Sequence, residues 1–331
     1  MLCLHSDKGL HVEDSLVIDP ARKKSSEFFA ISHAHSDHVN LASAGKCIAS
    51  PETIELVEAG YGKLRQPMPL SFGKKLPLGD FSLSLHNAGH ILGSSQFLIE
   101  NESSLAVTSD FKLQDSMIHK GAEILNAEIL VIDSTFGLPA YSFPEREKIY
   151  EEMASWAKEQ ILQKKLIVFA GYSLGKAQEL TAFCNEFLGI APLVHEKIFE
   201  FNNAYKRLGV NLGDYIRLDH NLSASDIIIV PPSLVSNNLI QALNFSSHKQ
   251  IASAFATGWN YKSYYDRVFP LSDHADFNQL IQYIEQSKPK LVLTQYGFEK
   301  EFASFVKRRL KIPARPLSEL KKGQKMLMEF A

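Results

Sequence analysis

Cysteine is nearly absent from this chain: Cys3, Cys47 and Cys184 are the three thiols in 331 residues, widely spaced and without a CxxC pair. So small and scattered a set excludes a disulfide framework and suits reduced thiols in a cytoplasmic protein. Long apolar runs are missing too. Nothing approaches the ~20 residues that cross a bilayer, and the first residues lack the layout of a secretory signal, so we expect a soluble cytoplasmic chain. Neither sign of charge is in excess. With 35 Lys and Arg against 37 Asp and Glu, the molecule as a whole is not a general binder of polyanions, and such binding would need local patches. There is no internal repeat, no low-complexity segment and no GxxxxGK[ST] phosphate loop.

Histidine, in contrast, is concentrated. Only 12 of the 331 residues are His, yet His33, His35, Asp37 and His38 fall within six positions. They follow the apolar run Phe28-Phe29-Ala30-Ile31, which predicts a buried strand ending in a loop. Alternation turns His33 and His35 the same way, while a turn after them lets Asp37 and His38 face a neighbouring point. Two imidazoles for one ion, and a carboxylate with an imidazole for a second, suit zinc or another divalent transition metal.

Other candidates lie at strand ends. The run Ser15 to Ile18 closes in Asp19-Pro20, where the carboxylate can orient a metal-binding His from behind or simply form a turn. Pro51 to Gly60 predicts a helix, with Pro near its start and Gly at its end. Phe81, Leu83 and Leu85 alternate with serines as a half-buried strand. It is followed by His90 in the glycine-flanked loop Gly89-His90-Ile91-Leu92-Gly93. Leu105 to Thr108 delivers Asp110, a carboxylate able to bridge two cations, and Ile129 to Ile132 delivers Asp133. Helix spacing follows from about Pro144 to Gln163, then a buried strand Leu166 to Ala170. The turn Gly171 to Lys176 after it offers backbone N–H groups to an anion, with Ser173 and Lys176 as candidate contacts; capping of the next helix by Ser173 is the alternative. Apolar strands such as Ile227 to Val230 and Ile251 to Thr257 predict a small parallel α/β unit. Beyond it come His274 in Leu271-Ser272-Asp273-His274-Ala275-Asp276 and Tyr296 after the strand Leu291 to Thr294. Lys307 to Lys325 holds eight basic residues against the single acid Glu319, a solvated face or a phosphate contact.

In this order the motifs resemble a known family. His33-x-His35-x-Asp37-His38, His90 and Asp110 are similar to the ligands of the metallo-β-lactamase fold. Asp133-Ser134-Thr135-Phe136-Gly137 and the His274 motif resemble the segments that open and close a β-CASP cassette. From about residue 9 to 310 the chain resembles the bacterial ligase-associated DNA exonucleases, through Gly9-Leu10, Ile18-Asp19-Pro20, Leu174-Gly175-Lys176-Ala177-Gln178 and Gly258-Trp259.

The resemblance implies an α/β protein in which an αββα sandwich, residues 1–137 and 269–331, carries an inserted β-CASP cap, residues 138–268. It implies one metal on His33, His35 and His90, a second on Asp37 and His38, Asp110 between them, and Asp19 as outer support. Two divalent ions are expected, zinc or manganese, activating water against a phosphodiester. Asp37, His274 and Asp133 would be catalytic, His274 serving the leaving oxygen and Asp133 orienting it. RNA-processing members place a His where Tyr296 stands, so the second ion is expected to be held more weakly and DNA to be favoured over RNA. A DNA ligase and a helicase are the expected partners. An RNA exo- or endonuclease and a non-catalytic β-CASP subunit are the alternatives.

Overall fold

A computed structural model describes residues 4–6, 9–20, 25–219, 221–259 and 265–320. Cys3 and residues 321–325 of the basic stretch lie outside them. No helix among the described residues is long and apolar enough to cross a membrane.

The chain divides into two compact units. The first runs to Asp115, resumes over Lys120–Ser142 and again from His274. Two sheets build it. In one, the strands Leu4–Ser6, Leu10–Val12, Leu16–Ile18, Ser25–Ala30, Ala44–Ala49 and Pro67–Pro69 lie in chain order. In the other the spatial order is Ala314–Pro316, Leu291–Gln295, Ile129–Asp133, Ser104–Val107, Ser95–Glu100, Phe81–Asn87 and Lys75–Leu78.

Strand alternation decides what each face covers. Leu105, Val107, Ile129 and Val131 join Leu16, Ile18, Phe28 and Ala30 in an apolar layer between the two sheets. Their neighbours Ala106, Leu130 and Ile132 point the other way, onto Leu280, Tyr283 and Ile284 of the helix Phe277–Ser287. Buried on both faces, the central strands read as unbroken apolar runs, as parallel strands do.

Register then places the functional groups. Ile129–Asp133 pairs in parallel with Ser104–Val107 on one side and Leu291–Gln295 on the other. Their carboxyl ends, and with them Asp110, Asp133 and Tyr296, therefore reach one sheet edge. In the facing sheet, Ile18 pairs with Ala30, which sets Asp19 beside the start of the His33 loop. The helix Pro51–Gly60 begins as its sequence predicts, with the Ser50 hydroxyl accepting from the Thr53 amide at 3.0 Å. Ser50 and Thr53 hydroxyls also donate to the Gly93 carbonyl, at 2.7 and 2.9 Å, and so fix the loop that carries His90. Gly93 has φ +76°, and a Cβ there would stand 2.5 Å from that of Glu52. The glycine is a steric requirement of the His90 loop.

The second unit comprises Ser116–His119 and Phe143–Asp273. Its six strands are parallel, ordered Ile216–Arg217, Leu193–Val194, Ile227–Val230, Leu166–Ala170, Ile251–Ala256 and Arg267–Phe269. Ile167 and Phe169 pack with Ile149 and Met153 of the helix Arg146–Leu162, while Leu166 and Val168 pack on the opposite face with Leu243. It is a doubly wound α/β unit with helices on both faces.

Candidate metal centre

Three imidazoles converge in the first unit. His33 Nε2 lies 3.1 Å from His35 Nδ1, and His90 Nε2 also lies 3.1 Å from it. Asp110 Oδ2 is 3.6 Å from His33 Nε2 and 3.7 Å from His90 Nε2. Four ligands about 2.0–2.1 Å from a tetrahedral zinc ion stand about 3.3 Å apart, so the spacing of these donor atoms fits such an ion. His33, His35, His90 and Asp110 are thus a group able to hold a metal, and a second group is formed by Asp110, Asp133 and His274.

The protonation pattern suits a cation. Burial, reinforced by His38, His90 and His35, holds the His33 pKa well below the ordinary value, so this imidazole is neutral and free to coordinate. For Asp110 burial lifts the pKa to about 6, against the pull of His38 and His274. His38 goes the opposite way: burial lowers its pKa, but Asp110 and Asp19 outweigh it and raise it to about 10. Without metal it carries a proton at neutral pH.

Asp37 and His38 stand beside the cluster. His38 Nε2 is 3.8 Å from Asp37 Oδ2 and 3.6 Å from Asp110 Oδ2, and the Asp37 side chain is 80% exposed. On the expectation that Asp37 and His38 hold a second cation, that cation would have to displace the His38 proton. Its affinity is therefore expected to fall about tenfold per pH unit on acidification below the His38 pKa, with the His33 site much less affected at neutral pH. Chelator competition at pH 6.5 and 7.5 checks this; two sites with equal pH dependence would contradict it.

Asp19 supports the cluster from behind. Its Oδ1 accepts from the Ser32 amide at 2.8 Å, and its Oδ2 accepts from the Ser32 hydroxyl at 2.7 Å and lies 3.0 Å from His38 Nδ1. Ser32 Oγ in turn lies 2.8 Å from His33 Nδ1. Ser32 and Ser109, whose hydroxyl donates to Asp19 at 3.3 Å, had no sequence signal of a role here. A serine next to His is common, and only the fold brings residue 109 to residue 19.

His274 Nδ1 lies 2.8 Å from Asp133 Oδ2, and its Nε2 lies 3.9 Å from Asp110 Oδ2. The other oxygen of Asp133 accepts from the amide and hydroxyl of Thr135, at 2.8 and 2.6 Å, which fixes the carboxylate. Tyr296 stacks edge-on to His38 with ring centroids 5.7 Å apart, and has φ +68°. Left-handed backbone is rare for a bulky residue. Ser134 holds it in place, its hydroxyl bonding the carbonyls of Gln295 and Tyr296 at 2.9 and 2.7 Å. Gly297 follows at φ +53°, where a Cβ would stand 2.4 Å from Thr135 Cα.

The expected anion contact at Lys176 needs correction, and so does the alternative cap at Ser173. Lys176 is 2% exposed, with its ammonium 2.7 Å from Glu179 and 2.8 Å from Asp273, so its charge is committed to the fold and not offered to a phosphate. Ser173 does not cap the helix Lys176–Phe183 either. Gly175 is the N-cap residue, and its amide donates to Gln178 Oε1 at 2.7 Å. Of the basic stretch, Lys307, Arg308, Arg309 and Lys311 are exposed on the first unit.

No family model matches the chain. Among known proteins it is 33% identical over 288 residues to the "Probable DNA ligase" of Opitutus terrae, covering 84% of this chain and 28% of that protein. It is 23% identical over 286 residues to the "Probable RNase MJ4" of Methanocaldococcus jannaschii, covering 71% of this chain and 66% of that one. To the human "DNA cross-link repair 1A protein" it is 22% identical over 295 residues, 80% of this chain and 28% of that protein. All three are β-CASP members of the metallo-β-lactamase family. The chain is thus similar to members of the β-CASP metallo-β-lactamase family. The chain spans only part of the length of those relatives.

Proposed function

We propose that this β-CASP chain is a metal-dependent nuclease of the metallo-β-lactamase fold that hydrolyses phosphodiester bonds, with DNA ends as its favoured substrate. The observation that carries the reading is the convergence of His33, His35, His90 and Asp110 beside a His274 imidazole whose Nδ1 is bonded to Asp133. His33, His35 and His90 would hold one divalent metal, zinc or manganese, Asp37 and His38 a second, with Asp110 between. When bound, the pair lowers the pKa of water and neutralises charge developing on a phosphodiester.

The chain's own residues do the rest. Asp19 and Ser32 keep the His33 and His38 rings in one orientation. Asp133 holds Nδ1 of His274, and Nε2, 3.9 Å from Asp110 Oδ2, would give a proton to the leaving 3′ oxygen as the P–O bond breaks. The product keeps a 5′-phosphate. A DNA substrate is supported by the likeness to a probable DNA ligase and to a DNA cross-link repair protein. The likeness to a probable RNase supports RNA as the second reading. Association with a DNA ligase and a helicase is part of the first. Degradation of 5′-phosphorylated single- and double-stranded DNA and RNA, with Mn²⁺ or Zn²⁺, tests it. Faster loss of DNA is the expected result, faster loss of RNA would reverse the preference, and no cleavage with any metal would refute the function.

Tyr296 supplies a further test. With a phenol at that edge, the second ion has Asp37, His38 and Asp110 from the protein, so one metal per chain is expected after purification, with activity rising on added Mn²⁺ or Zn²⁺. Tyr296→His is expected to raise the second occupancy, since His tolerates left-handed backbone better than Tyr and brings a ligand nitrogen. Two tightly held metals in the wild type, unchanged in the variant, would refute it.

A further inference from the structure

The second unit buries a charge network that no part of the metal centre uses. Glu179, 2% exposed, accepts from Arg146 Nε at 2.8 Å, from Arg146 Nη2 at 2.6 Å and from Lys176 Nζ at 2.7 Å, and also from the Tyr150 hydroxyl. Lys176 Nζ also donates to Asp273 Oδ1 at 2.8 Å, and Arg146 Nη2 lies 3.3 Å from the same oxygen. Arg146 Nη1 donates to the Ser272 carbonyl at 2.7 Å. Two cations and two anions thus close on one another.

Local helix energetics do not explain the arrangement. Arg146 and Lys176 are each the first residue of a helix, the end at which the macrodipole disfavours positive charge. Stability is a weak explanation as well, because apolar residues of similar volume usually do as well as a buried ion network. What the network does hold is one short stretch of backbone. Its grip on Ser272 and Asp273 ends one peptide bond before His274.

From there the chain is tied residue by residue. His274 is bonded to Asp133, the Ala275 amide donates to the Phe111 carbonyl at 2.6 Å, and Asp276 caps the next helix by accepting from the Gln279 amide at 2.9 Å. Five consecutive residues, Ser272 to Asp276, each carry a specific hydrogen bond.

We infer that Arg146, Lys176, Glu179 and Asp273 are positioning residues, a buried clasp that fixes the backbone entering His274 and so sets where its Nε2 stands. The inference rests on the reading of His274 as proton donor. A shift of about 1 Å in such a group costs about 10²-fold in rate.

A leaving-group comparison tests it. Scission of DNA expels an alkoxide that needs a proton, whereas the p-nitrophenyl ester of thymidine 5′-phosphate expels a phenolate that does not. Asp273→Asn keeps the shape of the side chain and removes its charge; Lys176→Met, which leaves Glu179 paired with Arg146, carries the test if that variant does not fold. Each is expected to lose about 10²-fold in kcat on DNA with KM and metal content unchanged, and to stay within about twofold on the ester. His274→Ala, measured beside them, gives the reference pattern. If it discriminates between the two substrates and the clasp variants lose both activities equally, or neither, the inference fails and the proton-donor reading stands. If His274→Ala loses both equally, the proton-donor reading fails, and the inference with it.

Discussion

His35→Ala is expected to strip the protein of its more tightly held metal and to take hydrolysis below detection, while the fold persists. His35 Nδ1 is the atom shared by the cluster, 3.1 Å from both His33 Nε2 and His90 Nε2, so its removal opens the ligand set at its centre. Loss of a residue that merely supports a ligand weakens metal binding by about 10–100-fold, and loss of a ligand should exceed that. The core beneath contains no part of the imidazole: Leu16, Ile18, Phe28, Leu105, Val107 and Val131 pack without it. Elemental analysis and far-UV circular dichroism on the purified variant check the result. Full occupancy with normal activity would remove His35 from the ligands.

The second large effect is expected at His274. Without its imidazole the protein should keep metal and bind substrate but turn over about 10²–10⁴-fold more slowly, the usual contribution of general acid catalysis. The geometry also poses the competing outcome, because Asp110, Asp133 and His274 themselves form a group close enough to hold an ion. A His274→Ala protein that has lost metal, yet works at the normal rate in its remaining loaded fraction, would make His274 a ligand. Asp133→Asn separates the two roles further. As a positioning residue it should slow turnover with metal retained, since in the role assigned here its carboxylate acts by holding the His274 ring.

Much of this was legible in the chain because its signals are local. The helix Pro51–Gly60 carries its own cap and stop, and strands such as Leu166–Ala170 read as apolar runs because both faces are buried. The clustering of His33, His35 and His38 was plain, but the strand Ser25–Ala30 ends before them, so the loop and not strand alternation turns His33 and His35 together. Long-range pairing was not legible from periodicity. That Ser109 reaches Asp19, or that Thr135 steadies Asp133, depends on strand register, which the sequence pattern alone does not set. Lys176 misled for a related reason. A lysine after a glycine turn at a helix start looks ready for an anion until Glu179 and Asp273, 3 and 97 positions away, are seen to enclose it.

The separation between Asp133 and His274 also bears on how the protein is made. These two partners lie 141 positions apart, on either side of Phe143–Asp273. Closing a disordered loop of that length by random search is slow, and each doubling of length adds about 0.6 kcal/mol of entropy. Folding of the second unit shortens the search, since Arg146 and Ser272, 126 positions apart, are bonded when it is complete. During synthesis the candidate ligands His33 to Asp110 emerge early, but His274 arrives only after Phe143–Asp273 has been translated. In the proposed function, a nascent chain would thus have its metal-binding residues long before it has its proton donor.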